Sequence, residues 1–188
     1  MPKDFKERDK KDSKRRGPRP QREKPEFDQS IVEIARVTRV MAGGKRMSSR
    51  ACVVIGDRKG RVGMGLAKAK DVPMAVQKAV HQAEKALIKI NMREGTITHS
   101  VHVKYGAAKI MLKPAPVGTG IISGGAVRTV LELAGIENIV SKILGTNNKI
   151  NNVRAALMAL SQLKKNKYGD KKKAKDEAKE VIAHISEE

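Results

Sequence analysis

Residues 40–70 read VMAGGKRMSSRACVVIGDRKGRVGMGLAKAK, and the punctuation of this stretch decides the fold. The short apolar run ACVVI is closed by Gly56 and Asp57, and glycine-and-cation clusters, GGKRMSSR and GDRKGR, lie on either side of it. Short apolar runs bounded by glycine-bearing turns are strands joined by hairpins. Upstream, IVEIARVTRVM alternates only imperfectly, which predicts a strand with a bulge. Downstream, GRVGMGLAKAK predicts a third, glycine-thinned strand. Pro73 then stands at a helix start, where its missing N–H costs little. Val76, Val80, Ala83, Leu87 and Ile90 follow at intervals of three or four, one helical stripe. The first unit is therefore β-β-β-α, expected over residues 29–93.

Arg93-Glu94-Gly95 marks a boundary. In ITHSVHVK, Ile97, Val101 and Val103 face one way while Ser100, His102 and Lys104 face the other. Tyr105-Gly106 turns the chain, and AAKIMLK alternates again, giving a hairpin. PAPVGTGIISGG is a glycine-rich loop into the helix AVRTVLELAG, which Gly135 ends at the usual C-terminal glycine position. ENIVSKILG predicts a strand, and INNVRAALMALSQLKK a helix with Val153, Leu157, Leu160 and Leu163 as its stripe. The second unit, over residues 94–163, is β-β-loop-α-β-α. The whole chain is α+β, with helices packed on sheets.

The chain has 188 residues and a formal net charge of +20, far beyond what solubility requires. Such an excess points to a polyanion, nucleic acid before an anionic membrane. No apolar run approaches a spanning helix, and the basic clusters sit beside glycine rather than on an amphipathic helix. Residues 1–28 and 164–188 are charged, poor in aliphatics and basic on balance, and are expected to be disordered alone. The amino-terminal stretch has no apolar core and mixes acids with bases, the pattern of neither a secretory signal nor a transit peptide. Cys52, the only cysteine, lies in the apolar run and is expected to be a buried small residue in a reducing compartment.

Two Phe, two Tyr and no Trp leave almost no ring for stacking bases, and Phe5, Phe27 and Tyr168 fall in tail-like segments. Nucleic acid is then held through phosphates, backbone and shape. From residue 36 to residue 70 there are ten Lys or Arg and one acid, Asp57. The cations gather in GGKRMSSR and GDRKGR, where glycine permits φ > 0 and lets amides approach phosphates. Ordinary hairpin turns with solubilising charge are the plain alternative. Two such turns in one small unit favour RNA contact, with counterions released on binding. The candidate RNA-binding residues are Arg39, Gly43, Gly44, Lys45, Arg46, Arg50, Arg58, Lys59, Gly60, Arg61, Lys68 and Lys70.

Other constellations carry less. His99 and His102 lie three apart on a strand, so they face opposite ways and do not chelate together. No carboxylate pair suits Mg²⁺ or acid–base chemistry, and neither a metal nor a cofactor is expected. The loop from Pro116 to Ala126 precedes a helix but lacks the Gly-Lys-Ser/Thr ending of a P-loop and the third glycine of G-x-G-x-x-G. It loosely resembles the phosphate loop of GHMP-type small-molecule kinases, although the chain has no metal-binding acids where such an enzyme needs them.

GGKRMSSRACVVIGDRKGRVGMGLAKAKDVPMAVQKA and PVGTGIISGGAVRTVLELAGIENIVSKILGTNN, in that order, are very similar to the bacterial small-subunit ribosomal protein S-five family. The resemblance covers roughly residues 31–163 and excludes the tails. It implies a first domain like those that bind double-stranded RNA and a second α/β domain of the fold shared with GHMP kinases, without catalysis. It implies a place in the cytoplasmic small subunit of a bacterial ribosome, on small-subunit ribosomal RNA. Proteins four and eight of that subunit would be neighbours, as would messenger RNA where it enters. The implied roles are assembly, decoding accuracy and shaping the messenger channel. The resemblance carries a contact with protein four onto Gly120, Gly124 and Arg128. The chain departs from the family pattern after its glycine pair, where Met47 and Ser49 replace frequent aromatics and Arg50 adds a cation. A free-standing duplex-RNA-binding module and a small-molecule kinase are the alternatives.

Overall fold

The computed structural model describes residues 26–164, so all but the inner ends of the two expected tails lie outside the described residues. Strands β1 (Asp28–Met41) and β2 (Gly44–Gly56) form a long antiparallel hairpin. Strand β3 (Arg61–Ala69) pairs with the other edge of β2, and the two-residue β4 (Ile88–Lys89) completes a sheet ordered β1-β2-β3-β4. The register of β1 on β2 shifts between Ile31 and Glu33, the bulge that the imperfect alternation foretold. Helix α1 (Val72–Lys85) lies between β3 and β4 in the chain, with Pro73 in its first turn.

The buried face of α1 corrects the expected stripe. Ala75, Ala79 and Ala83 are the buried positions, Val76 and Val80 only flank them, and Ile90 lies beyond the helix end in a different cluster. The cause is proximity to β3. A Cβ on Gly65 would collide with the Ala79 carbonyl, and one on Gly63 would stand 2.5 Å from the Ala83 carbonyl oxygen. Gly63 and Gly65 let the helix approach so closely that only alanine fits between. Ala51, Val53 and Ile55 of β2 meet this alanine face. Alternation turns Cys52 and Val54 to the opposite side of the sheet.

A small hairpin, β5 (Met92–Arg93) and β6 (Thr96–Ile97), turns at Glu94-Gly95, both at positive φ. It separates Ile97 from β7 (Val101–Tyr105), with which the alternation had grouped it. Strand β8 (Ala108–Pro114) pairs with β7, and β10 (Ile139–Ile143) pairs with β8. The glycine-rich loop contains a short strand the sequence did not announce, β9 (Ile121–Ile122), parallel to β10, giving the order β7-β8-β10-β9. Helices α2 (Gly125–Ala134) and α3 (Lys149–Ser161) cover one face of this sheet, and Leu163 is buried just past the end of α3.

The two sheets share one core. Val54 and Val62 of the first pack with Val127, Val130, Leu131, Leu133 and Ala134 of α2 and with Val153, Ala155 and Ala159 of α3. The β2–β3 turn is bonded to the end of α2: Arg58 N donates to Leu133 O (3.0 Å) and Gly60 N to Ala134 O (3.0 Å). Glycines make this approach possible. A Cβ on Gly56 would meet the Leu133 carbonyl, and one on Gly135 (φ +84) the Arg58 carbonyl.

Candidate nucleic-acid interface

Beyond the reach of α1, the β1–β2 hairpin projects as an arm whose residues from Arg36 to Arg50 are exposed or half-buried. Its turn is confined to Ala42 and Gly43, the latter at φ +79, because Met41 already pairs with Gly44. The candidates Lys45, Arg46 and Arg50 are therefore strand residues rather than loop residues, and strand alternation sorts them. Register places Arg39 opposite Arg46 and Arg50 opposite Lys68, on the face shared with Cys52. Arg36 and Lys45 lie on the other face, and Lys70 lies just past β3.

Like charges directly opposite one another across a ladder are destabilising, and this face has two such pairs in sequence. Among the described residues none of Arg39, Lys45, Arg46, Arg50, Lys68 and Lys70 has a carboxylate within 4.0 Å. Gly43 and Gly44 sit in open space, so the tip offers bare backbone. Arg154 on α3 borders the same corner. Its guanidinium lies 5.9 Å from the Tyr105 ring centroid and donates to the Tyr105 hydroxyl (3.3 Å). Sequence spacing gave no signal for Arg154, because only docking of α3 on the first sheet brings it there. Cys52 lies beneath these charges. Burial first, then Glu33, pushes its thiol up to about 11 while Arg154 and Arg50 pull the other way, so it stays protonated at neutral pH.

The second basic cluster is built differently. Arg58 pairs with Asp28 (2.8 Å), and Arg61 pairs with Asp57 (2.6 Å) and Glu26 (3.5 Å). Arg61 also lies over Phe27, 5.2 Å from the ring centroid, so Phe27 is packed rather than tail-like. Asp57 Oδ1 accepts from Lys59 N (2.7 Å) and Arg61 N (2.9 Å), which staples the turn. Gly60 bonds to both Ala134 and Ile90. This turn is a joint between the two halves, with Lys59 as its unpaired cation among the described residues.

In the second half, Asn138 is buried and its Oδ1 accepts from Gly118 N (2.9 Å) and Gly120 N (3.1 Å). The amides that a phosphate loop would offer are thus already bonded. Gly124 packs against Ile143, and Arg128 is exposed, donating to Ile121 O (3.3 Å). No group of three or more His, Cys, Asp or Glu suited to a metal occurs among the described residues. No described helix is long and apolar enough to cross a membrane.

A mixed α+β chain with a cationic arm that has no ion-pair partner among the described residues, and with its glycine loop closed by its own asparagine, is a scaffold suited to a polyanion. Residues 27–91 match the family described as ribosomal protein S5, N-terminal domain, and residues 103–175 match ribosomal protein S5, C-terminal domain. Small ribosomal subunit protein uS5 of Campylobacter jejuni (serotype O:23/36, strain 81-176) is 51% identical over 139 residues, 74% of this chain and 95% of the relative. Small ribosomal subunit protein uS5c of Spinacia oleracea is 50% identical over 139 residues, 73% of this chain and 45% of the relative. The chain belongs to the ribosomal protein S5 family.

Proposed function

We propose that the chain is a structural constituent of the cytoplasmic small ribosomal subunit of a bacterium, holding small-subunit ribosomal RNA by its phosphates along the β1–β2 arm. The observation that carries this reading is the stack of like-charge pairs, Arg39 with Arg46 and Arg50 with Lys68, which lack carboxylate partners among the described residues. Such an arrangement repels itself until an anion lies across it. Family membership supports a structural constituent rather than an enzyme, as do the bonded amides of the glycine loop.

On this reading residues 29–93 form a domain like those that bind duplex RNA, and residues 94–163 form the α/β domain of the fold shared with GHMP kinases. Lys45, Arg46, Arg50, Arg39, Lys68 and Lys70 hold phosphates, while Gly43 and Gly44 keep the tip slim. Lys59 contributes at the joint, where Gly60 shapes the turn, and Arg58 and Arg61 serve the joint first. Exposed Arg128, with Gly120 and Gly124, faces small-subunit protein four. Protein eight and messenger RNA at its point of entrance are further neighbours.

With about six phosphate contacts, raising salt from 50 to 200 mM weakens binding roughly 10³-fold, by counterion release. The test measures affinity for a small-subunit ribosomal RNA transcript across that range, for the native chain and for K45E/R46E/R50E. A salt-insensitive affinity, or an arm variant that binds like the native chain, overturns the assignment. Equal affinity for a mixed-sequence RNA duplex would favour the free-standing duplex-binding module instead.

A further inference from the structure

The second sheet has an open face, opposite the one that α2 and α3 cover. Strand alternation puts Val101, Val103, Ala108, Ile110, Leu112 and Ile139 on the helix side, all buried. The reverse side carries His102 and Lys104 of β7, Lys109, Met111 and Lys113 of β8, and Val140 and Lys142 of β10. His102, Lys104, Lys109, Lys113 and Lys142 are exposed. Register brings them together: Lys104 is directly opposite Lys109, while His102 and Lys142 flank Met111 from either side.

Among the described residues no acid answers this charge. Between Glu94 and Glu132, and again from Asn138 to Lys164, the sequence has no Asp or Glu, and all four strands of the sheet fall in those intervals. Among the described residues none of the four lysines has a carboxylate within 4.0 Å. An ordinary solvated sheet face mixes signs, and like charges set opposite each other weaken the ladder. Lysine and other charges are depleted at the cores of protein–protein interfaces, so the composition favours a polyanionic backbone over a protein. The lysine stems can lie along Met111 and Val140 while their ammonium groups reach outward.

We propose that this open face, through Lys104, Lys109, Lys113 and Lys142, is a second RNA-phosphate contact surface, separate from the arm. The inference rests on the chain being an RNA binder but not on the arm as the place of contact. The two surfaces lie on different sheets and so grip different segments of folded RNA. Loss of either then weakens binding without abolishing it.

The experiment compares three full-length chains on a small-subunit ribosomal RNA transcript: native, K45E/R46E/R50E, and K104Q/K109Q/K113Q/K142Q. The glutamine substitutions keep exposed polar stems, and far-UV circular dichroism checks that the fold persists. The expected result is that the open-face variant loses affinity and that its log K against log [salt] slope falls by about 3 to 4, one increment per lost phosphate contact. An unchanged slope and affinity in that variant, with a weakened arm variant, overturns the second surface and leaves the arm reading standing. Native-like binding by both variants overturns the RNA reading itself. An unchanged RNA slope with loss of a co-purifying small-subunit protein also overturns the proposal, by assigning the face to a protein partner.

Discussion

Asp57 shows how one side chain can organise a turn that charge counting assigns to something else. Burial favours its neutral form, but the Arg61 guanidinium and the amides of Arg61 and Lys59 outweigh that and hold the carboxyl below its ordinary range. A carboxylate with a depressed folded pKa stabilises the fold above the unfolded value of about 3.9. That contribution is lost as pH falls through the folded value. The urea midpoint of the native chain is therefore expected to drop below about pH 4, more steeply than in D57N, which begins lower at neutral pH. An identical acid limb in both chains would remove Asp57 from the account. Charge counting made Arg58 and Arg61 RNA-binding candidates because Asp28 and Glu26 are distant along the chain and the pairing of Arg61 with nearby Asp57 depends on the turn geometry. Pairing of β1 with β2 delivers Asp28 and Glu26 to the turn. Gly63 and Gly65 were legible as thin spots in a strand. That they let a helix in became clear only once α1 lay across them. Gly65→Ala is expected to cost about 3 kcal/mol, at the upper end for overpacking, because the Ala79 carbonyl it meets is backbone and cannot swing aside. Chemical denaturation measures it, and a loss under about 1 kcal/mol would mean the helix slides freely.

Among the elements, the arm sets stability against binding. Its strands, its bulge and its glycine turn were readable from alternation and composition, since those signals are local. Which cations share a face was not, because a one-residue change of register reverses every side chain. Once Arg39 is opposite Arg46 and Arg50 opposite Lys68, the arm holds charge at the expense of its own ladder. R46E is therefore expected to raise hairpin stability by roughly 0.2–1 kcal/mol, by turning a repulsive cross-strand pair into an attractive one. The same change is expected to weaken RNA binding and lower the salt slope by more than one unit, since it reverses a charge rather than removing it. Hydrogen exchange of arm amides and filter binding read the two effects. Parallel losses in both would mean that Arg46 is needed for the fold and that its charge was never in tension with it. The short strands β4 and β9 escaped the sequence for the opposite reason. Two residues carry no periodicity, and their pairing is set by the neighbours they happen to reach.

At the scale of the whole molecule, the boundary near Arg93 divides the sheets but not the core. Val54 and Val62 are buried against α2 and α3, and the β2–β3 turn is bonded to the last turn of α2. Sequence patterning finds each amphipathic face yet not which faces meet, so the joint was invisible until Gly56 and Gly135 were seen holding two backbones together. Gly135 carries both constraints at once. Its φ is +84, which costs an L-residue about 1–2 kcal/mol, and its Cα faces the Arg58 carbonyl. Gly135→Ala is accordingly expected to cost about 2–4 kcal/mol in all. More tellingly, it should change how the chain unfolds. The shared core is expected to make both halves of the native protein melt together. Reactivity of the buried Cys52 thiol, which reports the first sheet, should therefore coincide with loss of the far-UV helical signal along a urea titration. Gly135→Ala forces the two backbones apart, and the thiol is then expected to become reactive at a lower urea concentration than that at which the helical signal is lost. Separated transitions already present in the native chain would show the opposite: two halves that merely touch, with a joint that transmits nothing between the arm and the second sheet.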